Sequence, residues 1–287
     1  MSKSKKQSIN NLVVVSDLHC GCRLALCPPH KIKLDEGGYY TPSKLQKKVY
    51  KCWEYFWNEW VPFETKGEPF AVVINGDSLD GVHHKSVTQV SNNLSDQANI
   101  AEELLKPVVD LCKGRFYFIR GTEAHVGPSG QEEERLAKVL GAIPDEEGRF
   151  SRWEMKIRIG WGLVHLTHHI GTSSSMAYET SAIQRALQNM YVEAARWENE
   201  PPDCLVRSHR HRNCETRVRI KKNGRVGFAS SFTTAGWQLK TPFVYRTAGS
   251  DTKPQIGGSM VRCGDSDIFA KHCIWDIEET KIETPEA

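Results

Sequence analysis

The stretch that decides the fold runs Leu12-Val13-Val14-Val15-Ser16-Asp17-Leu18-His19. Its four apolar, mostly β-branched residues read as a short strand buried on both faces. The end of that strand delivers an aspartate and a histidine two positions apart, a spacing that lets both side chains face the same way. The same arrangement recurs four times. Phe70–Ile74 is followed by Asn75-Gly76-Asp77, and Arg115–Ile119 by Arg120-Gly121-Thr122-Glu123-Ala124-His125. Gly162–Thr167 runs into His168-His169, and Cys204–Val206 into Arg207-Ser208-His209-Arg210-His211.

Helical patterns lie between these runs. Pro42 to Trp60 carries Leu45, Val49, Cys52, Trp53, Phe56 and Trp60 at helical spacing. Asp96 to Cys112, Gln131 to Leu140 and Met176 to Trp197 read as three further helices. Strand and helix in alternation predict a layered α/β fold. The last third changes character: Thr216–Lys221, Val226–Ser231 and Cys273–Glu278 read as strands, the first two joined by an Asn223-Gly224 hairpin. Pro242 to Gly264, rich in Gly, Ser, Thr and Pro, reads as a long loop. Residues 1–10 are polar and basic and read as a disordered tail; residues 11–287, with no linker, are expected to form one domain.

In an open α/β sheet, ligands bind outside the carboxyl ends of the strands. Residues far apart in sequence are therefore expected to meet in one crevice. Carboxylate and imidazole suit Mn, Fe, Zn or Ni and need no cysteine. Asp17 with His19, and His209 with His211, are each spaced to grip one ion. Asp77, on a tight turn that Gly76 allows, has two oxygens with which to bridge two ions.

The ordered set Asp-x-His, Gly-Asp, a glycine-led turn with a histidine, a further histidine and His-x-His resembles the calcineurin-like metallophosphoesterase family, in a variant of the kind seen in bacteria and phages. The match runs from Asp17 to His211. It implies two mixed β-sheets packed face to face with helices outside, a four-layer sandwich. It also implies two divalent metal ions: Asp17, His19 and His211 on the first, His168 and His209 on the second, Asp77 between them. The activity implied is hydrolysis of a phosphate ester, mono- or diester, by a bridging hydroxide. Ser208 stands where the family has glycine. The turn after Gly121 departs further, because the family places asparagine and then a catalytic histidine there. Here His125 is the nearby group suited to protonating a leaving oxygen, and Glu123 or Thr122 is left as the remaining ligand. Two other readings stay open: a DNA or RNA nuclease of the same family, and a non-catalytic scaffold that retains the fold.

Other residues have blander readings. His165 is expected to be a satisfied core residue, and His168 takes precedence over His169 as ligand. His83 and His84 read as a solvated loop, while His30 and His272 carry no signal. Asp80 either orients a ligating histidine or caps its turn. Arg120, Arg210 and Arg212 either bind phosphate oxygens or form surface ion pairs. Trp53, Phe56, Trp57 and Trp60 read as core rather than as a base-stacking row. Glu132-Glu133-Glu134 reads as the acidic first turn of a helix.

Composition bounds the class. With 39% hydrophobic and 25% charged residues the chain is of ordinary globular type. A net charge of +3 neither demands nor excludes nucleic acid. No run has the length of a membrane span, and the polar N-terminus lacks the apolar core of a signal peptide. Nine cysteines, an odd number, argue against a disulfide framework and for reduced thiols in a cytoplasmic protein.

Overall fold

A computed structural model describes residues 8–83, 85–171, 176–247 and 253–277. Most of the expected tail, His84 and Glu278 lie outside them. Along the chain come β1 (Asn11–Val15), β2 (Ile32–Lys33), β3 (Tyr39–Tyr40), α1 (Lys44–Tyr55), α2 (Val61–Thr65), β4 (Phe70–Asn75), α3 (Leu94–Leu111) and β5 (Phe116–Ile119). Then follow α4 (Glu123–Val126), α5 (Gln131–Val139), β6 (Ser151–Arg152), β7 (Glu154–Ile159), β8 (Gly162–Thr167) and α6 (Ser181–Arg196). The last elements are β9 (Cys204–Arg207), β10 (Cys214–Lys222), β11 (Arg225–Thr233), α7 (Pro242–Thr247), β12 (Ile256–Cys263) and β13 (Ile268–Trp275).

Two mixed sheets carry the architecture. One has the order β13-β12-β1-β4-β5-β6, the other β10-β11-β9-β8-β7. β1, β4, β5 and β6 run parallel in the first; β8, β9 and β11 run parallel in the second. The inner faces meet through Leu12, Val14, Val73 and Ile119 from one sheet and Val164, Leu166, Val206 and Phe232 from the other. Outside the first sheet, Val13, Val15, Val72 and Ile74 pack with residues of α1, α3 and α5. Outside the second, Leu205 and Ala229 pack under Leu187 of α6. This is an α/β sandwich of four layers, helices enclosing two packed sheets. β1, β4 and β5 are covered on both faces, which is why they read as nearly continuous apolar runs.

The expected first helix is longer and interrupted. Ser43 caps α1 with a reciprocal capping box to Gln46. Pro62 has no N–H to continue the ladder, and the five residues Phe56–Trp60 widen into a π-helical turn before α2. The aromatic row is core: Trp53, Phe56 and Trp57 are buried, and Trp53 meets Trp237 edge-on at 4.8 Å. The 242–264 stretch is not a loop. It contains α7 and β12, and β12 pairs antiparallel with both β1 and β13. Its glycines have the look of a loop, yet the packing requires them. A Cβ on Gly257 would lie 2.0 Å from the Cys273 carbonyl oxygen, and one on Gly258 2.6 Å from the Phe56 ring.

Candidate metal centre

Five strands end at one place. The turns after β1 and β4 are stitched by Asp17 N–H to Gly76 O (2.9 Å) and His19 N–H to Asp77 O (3.0 Å). Ser208 N–H donates to His168 O (2.8 Å), joining the ends of β9 and β8. Beneath them a buried polar chain crosses between the sheets. Asn75 Nδ2 donates to Ser208 Oγ (2.6 Å), which accepts from Thr234 Oγ1 (2.8 Å); Thr234 in turn meets Ser16 Oγ at 2.5 Å. Sequence reading singled out none of Ser16, Asn75 or Thr234, and took Ser208 only as a small residue standing in for glycine.

Left-handed backbone marks the ligand turns. Among the described residues ten non-glycine positions have such a φ, and five of them are Asp17 (54°), His19 (44°), Asp77 (51°), His209 (73°) and His211 (52°). Each costs about 1–3 kcal/mol and persists only where the surroundings impose it, typically at functional sites. Gly76 (φ 85°) lies so close to His168 that a Cβ would meet its Nδ1 at 2.4 Å.

The side chains form adjoining sets. Ligand atoms of Asp17, His19 and His211 lie within 4.8 Å of one another, and so do those of Asp77, His168 and His209. Asp77 also joins His19 and His125 in such a set, so it stands between the two. His19 Nε2 and His211 Nε2 face each other at 3.1 Å, so a proton or a cation must separate their lone pairs. His168 Nδ1 lies 2.6 Å from the carbonyl of Asn75, which can only accept; Nδ1 therefore carries the hydrogen and Nε2 faces Asp77 Oδ2 at 3.0 Å. His168 Nε2 and Asp17 Oδ1 are buried without a well-aligned hydrogen bond. Among the described residues, the ion-pair partners of Asp17, Asp77 and Asp80 are histidines only. Buried carboxylates without lysine or arginine, beside imidazoles of fixed tautomer, are a donor set suited to divalent cations. The described clusters include no cysteine.

Electrostatics follow from this crowding. Burial opposes the charge on Asp17, but His211 and then His168 hold its carboxyl below the usual carboxylate range. Asp77 is likewise held low by His168 and His125 against its burial. Burial would lower His168, yet Asp77 and Asp17 push it up to about 10. Burial, then His168, brings His209 down to about 4. Without metal, His168 therefore carries a proton at neutral pH. The stability it contributes is complete below its ordinary pKa near 6.5 and is lost as pH rises through about 10. A cation at this position must displace that proton, so uptake at pH 7 is expected to release about one proton. Titration calorimetry in two buffers of different ionisation enthalpy measures this. Metal uptake with no proton release would remove His168 from the ligand set.

At the variant turn it is Thr122, not Glu123, that lies on the Asp77 carboxylate. Thr122 donates from its backbone N–H to Asp77 Oδ1 (2.7 Å), and its hydroxyl is 3.2 Å from both Asp77 oxygens. Glu123, the first residue of α4, is exposed and belongs to none of the clusters. His125 does join the site. Its Nδ1 lies 2.6 Å from Asp80 O and so carries the hydrogen, and its ring meets His19 at 4.4 Å. Burial lowers it to about 4.

Asp80 is also in the site. Its Oδ1 is 3.4 Å from His19 Nδ1, and Gln89 and Gln238 both donate to its carboxylate. His83, expected in a solvated loop, instead lies with its ring 4.3 Å from that of His125. His169 is exposed, and buried His165 is held between Glu154 (2.7 Å) and Arg207 (3.2 Å). The arginines are turned elsewhere. Arg120 donates to Ser151, Ser129 O and Glu134. Arg210 donates to the carbonyls of Gly171 and Glu179, and Arg212 to the Glu179 carboxylate.

No protein-family model and no curated protein matches the chain. Solved structures do. Wild-type Vps29 from Entamoeba histolytica, complexed with Zn²⁺, is 11% identical over 93% of this chain and 99% of that one, with a TM-score of 0.36. Vacuolar Protein Sorting 29 from Cryptosporidium parvum is 12% identical over 94% and 100%, at 0.33. Chaetomium thermophilum Vps29 is 10% identical over 93% and 98%, at 0.35. At these TM-scores the likeness decides nothing about activity, which rests on the chain's own side chains.

Proposed function

We propose that the chain is a metal-dependent phosphoesterase that hydrolyses a phosphate ester at a pair of divalent cations. The observation that carries this reading is the two largely buried His/Asp sets, Asp17–His19–His211 and Asp77–His168–His209, adjoining at Asp77 with no lysine or arginine as ion-pair partner among the described residues. Two divalent cations (Mn, Fe, Zn or Ni) supply Lewis-acid activation of water and offset charge on the phosphate. The residues do the rest. Asp77 presents Oδ2 to His168 Nε2 while the Thr122 N–H holds Oδ1, and it would be shared between the two cations. The Asn75 and Asp80 carbonyls fix the tautomers of His168 and His125. His125 is assigned the proton for the leaving oxygen, which its Nε2 can carry near neutral pH only once the negative charge of a bound phosphate raises it from the value of about 4 that burial imposes. The match of motifs to the calcineurin-like metallophosphoesterases supports this reading, and the free, mostly buried cysteines fit a reducing, cytoplasmic setting. Among the described residues no helix is long and apolar enough to cross a membrane.

A screen of Mn, Fe, Zn and Ni against phosphomonoester and phosphodiester substrates tests the proposal. Activity that needs added metal and is abolished by a chelator is the expected outcome; no activity with any pairing would leave a non-catalytic scaffold. His125→Ala is expected to keep its metals and lose about 10²–10⁴-fold in turnover on esters with poor leaving groups, and less on a nitrophenyl ester. Loss of a metal would instead make His125 a ligand. A nuclease reading rests on Arg217, Arg219 and Lys221, exposed in alternation on the edge strand β10. Binding to an oligonucleotide that falls steeply with salt would favour it.

A further inference from the structure

A dipole effect explains three glutamates in the first turn of a helix, but it gives no reason to bury one of them completely. Glu133 breaks that pattern, being fully buried while Glu132 and Glu134 are partly exposed. Its carboxylate accepts three hydrogen bonds from two different turns. Oε1 receives the Ser78 N–H and the Ser78 hydroxyl, both at 2.8 Å; Oε2 receives the Gly121 N–H at 2.6 Å. Ser78 follows Asp77, and Gly121 precedes Thr122.

These two turns meet closely. Gly121 packs against Asp77 so tightly that a Cβ would lie 2.0 Å from Asp77 Oδ1. Thr122 N–H holds the same oxygen at 2.7 Å. The turn after Gly121 then continues through the single turn of α4 to His125. Past Arg120, whose N–H still donates to Arg152 O (2.8 Å), no strand pairing among the described residues holds this segment. Glu133 holds it instead, from a helix beyond the far end of the segment. A carboxylate suits the task because all three groups facing it are donors; an amide would turn its own N–H₂ towards one of them.

We propose that Glu133 is a positioning residue of the metal centre: it clamps the Asp77 turn to the Gly121–Thr122 turn and so sets where the Asp77 oxygens and His125 stand. It touches no candidate ligand side chain itself. The inference rests on the metal-centre reading, and its test separates the two.

Manganese titration and amide hydrogen exchange on the full chain, wild type against Glu133→Gln and Ser78→Ala, decide it. In Glu133→Gln one of the two turns loses its acceptor. The Asp77–His168–His209 ion should bind about 10–100-fold more weakly, in line with the usual effect of removing a group that orients ligands, while the Asp17–His19–His211 ion keeps its affinity. In the metal-free protein, amide exchange at Gly121 and Thr122 should speed up about tenfold or more. Ser78→Ala removes one bond of three, disturbs the fold less, and should shift both readouts the same way by a smaller factor. Unchanged ion affinities with unchanged exchange in both variants would overturn the proposal. A lowered Tm with both affinities intact would also overturn it, leaving Glu133 a mere fold brace. If the wild type takes up no second ion, the metal-centre reading fails, and the exchange at Gly121 and Thr122 alone decides the clamp.

Discussion

On the two-cation proposal, Asp77→Asn is expected to leave one tightly held ion of the two, and to lower phosphoesterase activity about 10²–10³-fold or more. The substitution keeps the shape of the side chain and exchanges one acceptor oxygen for a donor nitrogen. The surroundings dictate which oxygen is lost. At Oδ1, Thr122 presents a backbone N–H at 2.7 Å, and a second donor there would face it head-on. The amide oxygen must take that position, so the N–H₂ falls at Oδ2, 3.0 Å from His168 Nε2. A donor now points into the Asp77–His168–His209 set, where it cannot ligate a cation. Asp17, His19 and His211 are untouched and should retain their ion. The fold should persist, because the site lies at the ends of strands whose core is apolar. Calorimetric manganese titration, turnover and circular dichroism measure the three parts. A variant that still binds two ions and turns over like the wild type would sink the pairing at Asp77.

Gly121→Ala should be as damaging without removing any polar group. Its Cβ would lie 2.0 Å from Asp77 Oδ1, 2.3 Å from Asp77 N and 2.9 Å from Asp77 Cα. Two of these are backbone atoms, so no rotamer change relieves the overlap; one turn must move away from the other. Overpacking of this kind costs about 1–3 kcal/mol. The movement also pulls Thr122 from the Asp77 carboxylate and Gly121 N–H from Glu133. Loss of the second ion and of most activity is expected, with a Tm lower by several degrees. Gly171→Ala is the control, since nothing lies within 4 Å of its Cβ. Equal stability and turnover in the two variants would show that the turns do not meet as described.

Much of the site was legible because it is written locally. β1, β4, β5, β8 and β9 are short apolar runs, and an aspartate or histidine follows each of them within a few residues. Strand hydrophobicity and the residue type that follows it are properties of adjacent positions. So is the Asn223-Gly224 turn, where both residues take left-handed φ (52° and 80°) as a tight hairpin requires.

Elsewhere the local signal pointed the wrong way or in two directions. Ile256-Gly257-Gly258-Ser259 has the composition of a loop, but it lies in β12, where Gly257 lets the β13 backbone approach and Gly258 leaves room for the Phe56 ring. Thr122 and Glu123 were equal candidates, and Glu123 was the better ligand by chemistry. The start of α4 turns Glu123 to solvent and leaves Thr122 on Asp77. Arg120 sits next to Gly121 in sequence yet reaches away to Glu134.

By itself the sequence determined the layered α/β class, the strands that bear the site, and the stock of carboxylates and imidazoles at their ends. Each of these depends on periodicity and neighbouring residue types, which burial on both faces imposes strand by strand. Only the tertiary structure decided that Glu133 lies buried between two turns, that Asp80 and His83 stand beside His19 and His125, and that Ser16, Asn75, Ser208 and Thr234 form one chain under the site. Those facts depend on depth and on contacts between segments 26 to 218 residues apart, such as Ser208 with Thr234 across 26 positions, Ser78 with Glu133 across 55 and Ser16 with Thr234 across 218. A buried donor must find an acceptor wherever the packed chain brings one, and nothing in the residues on either side of it says which.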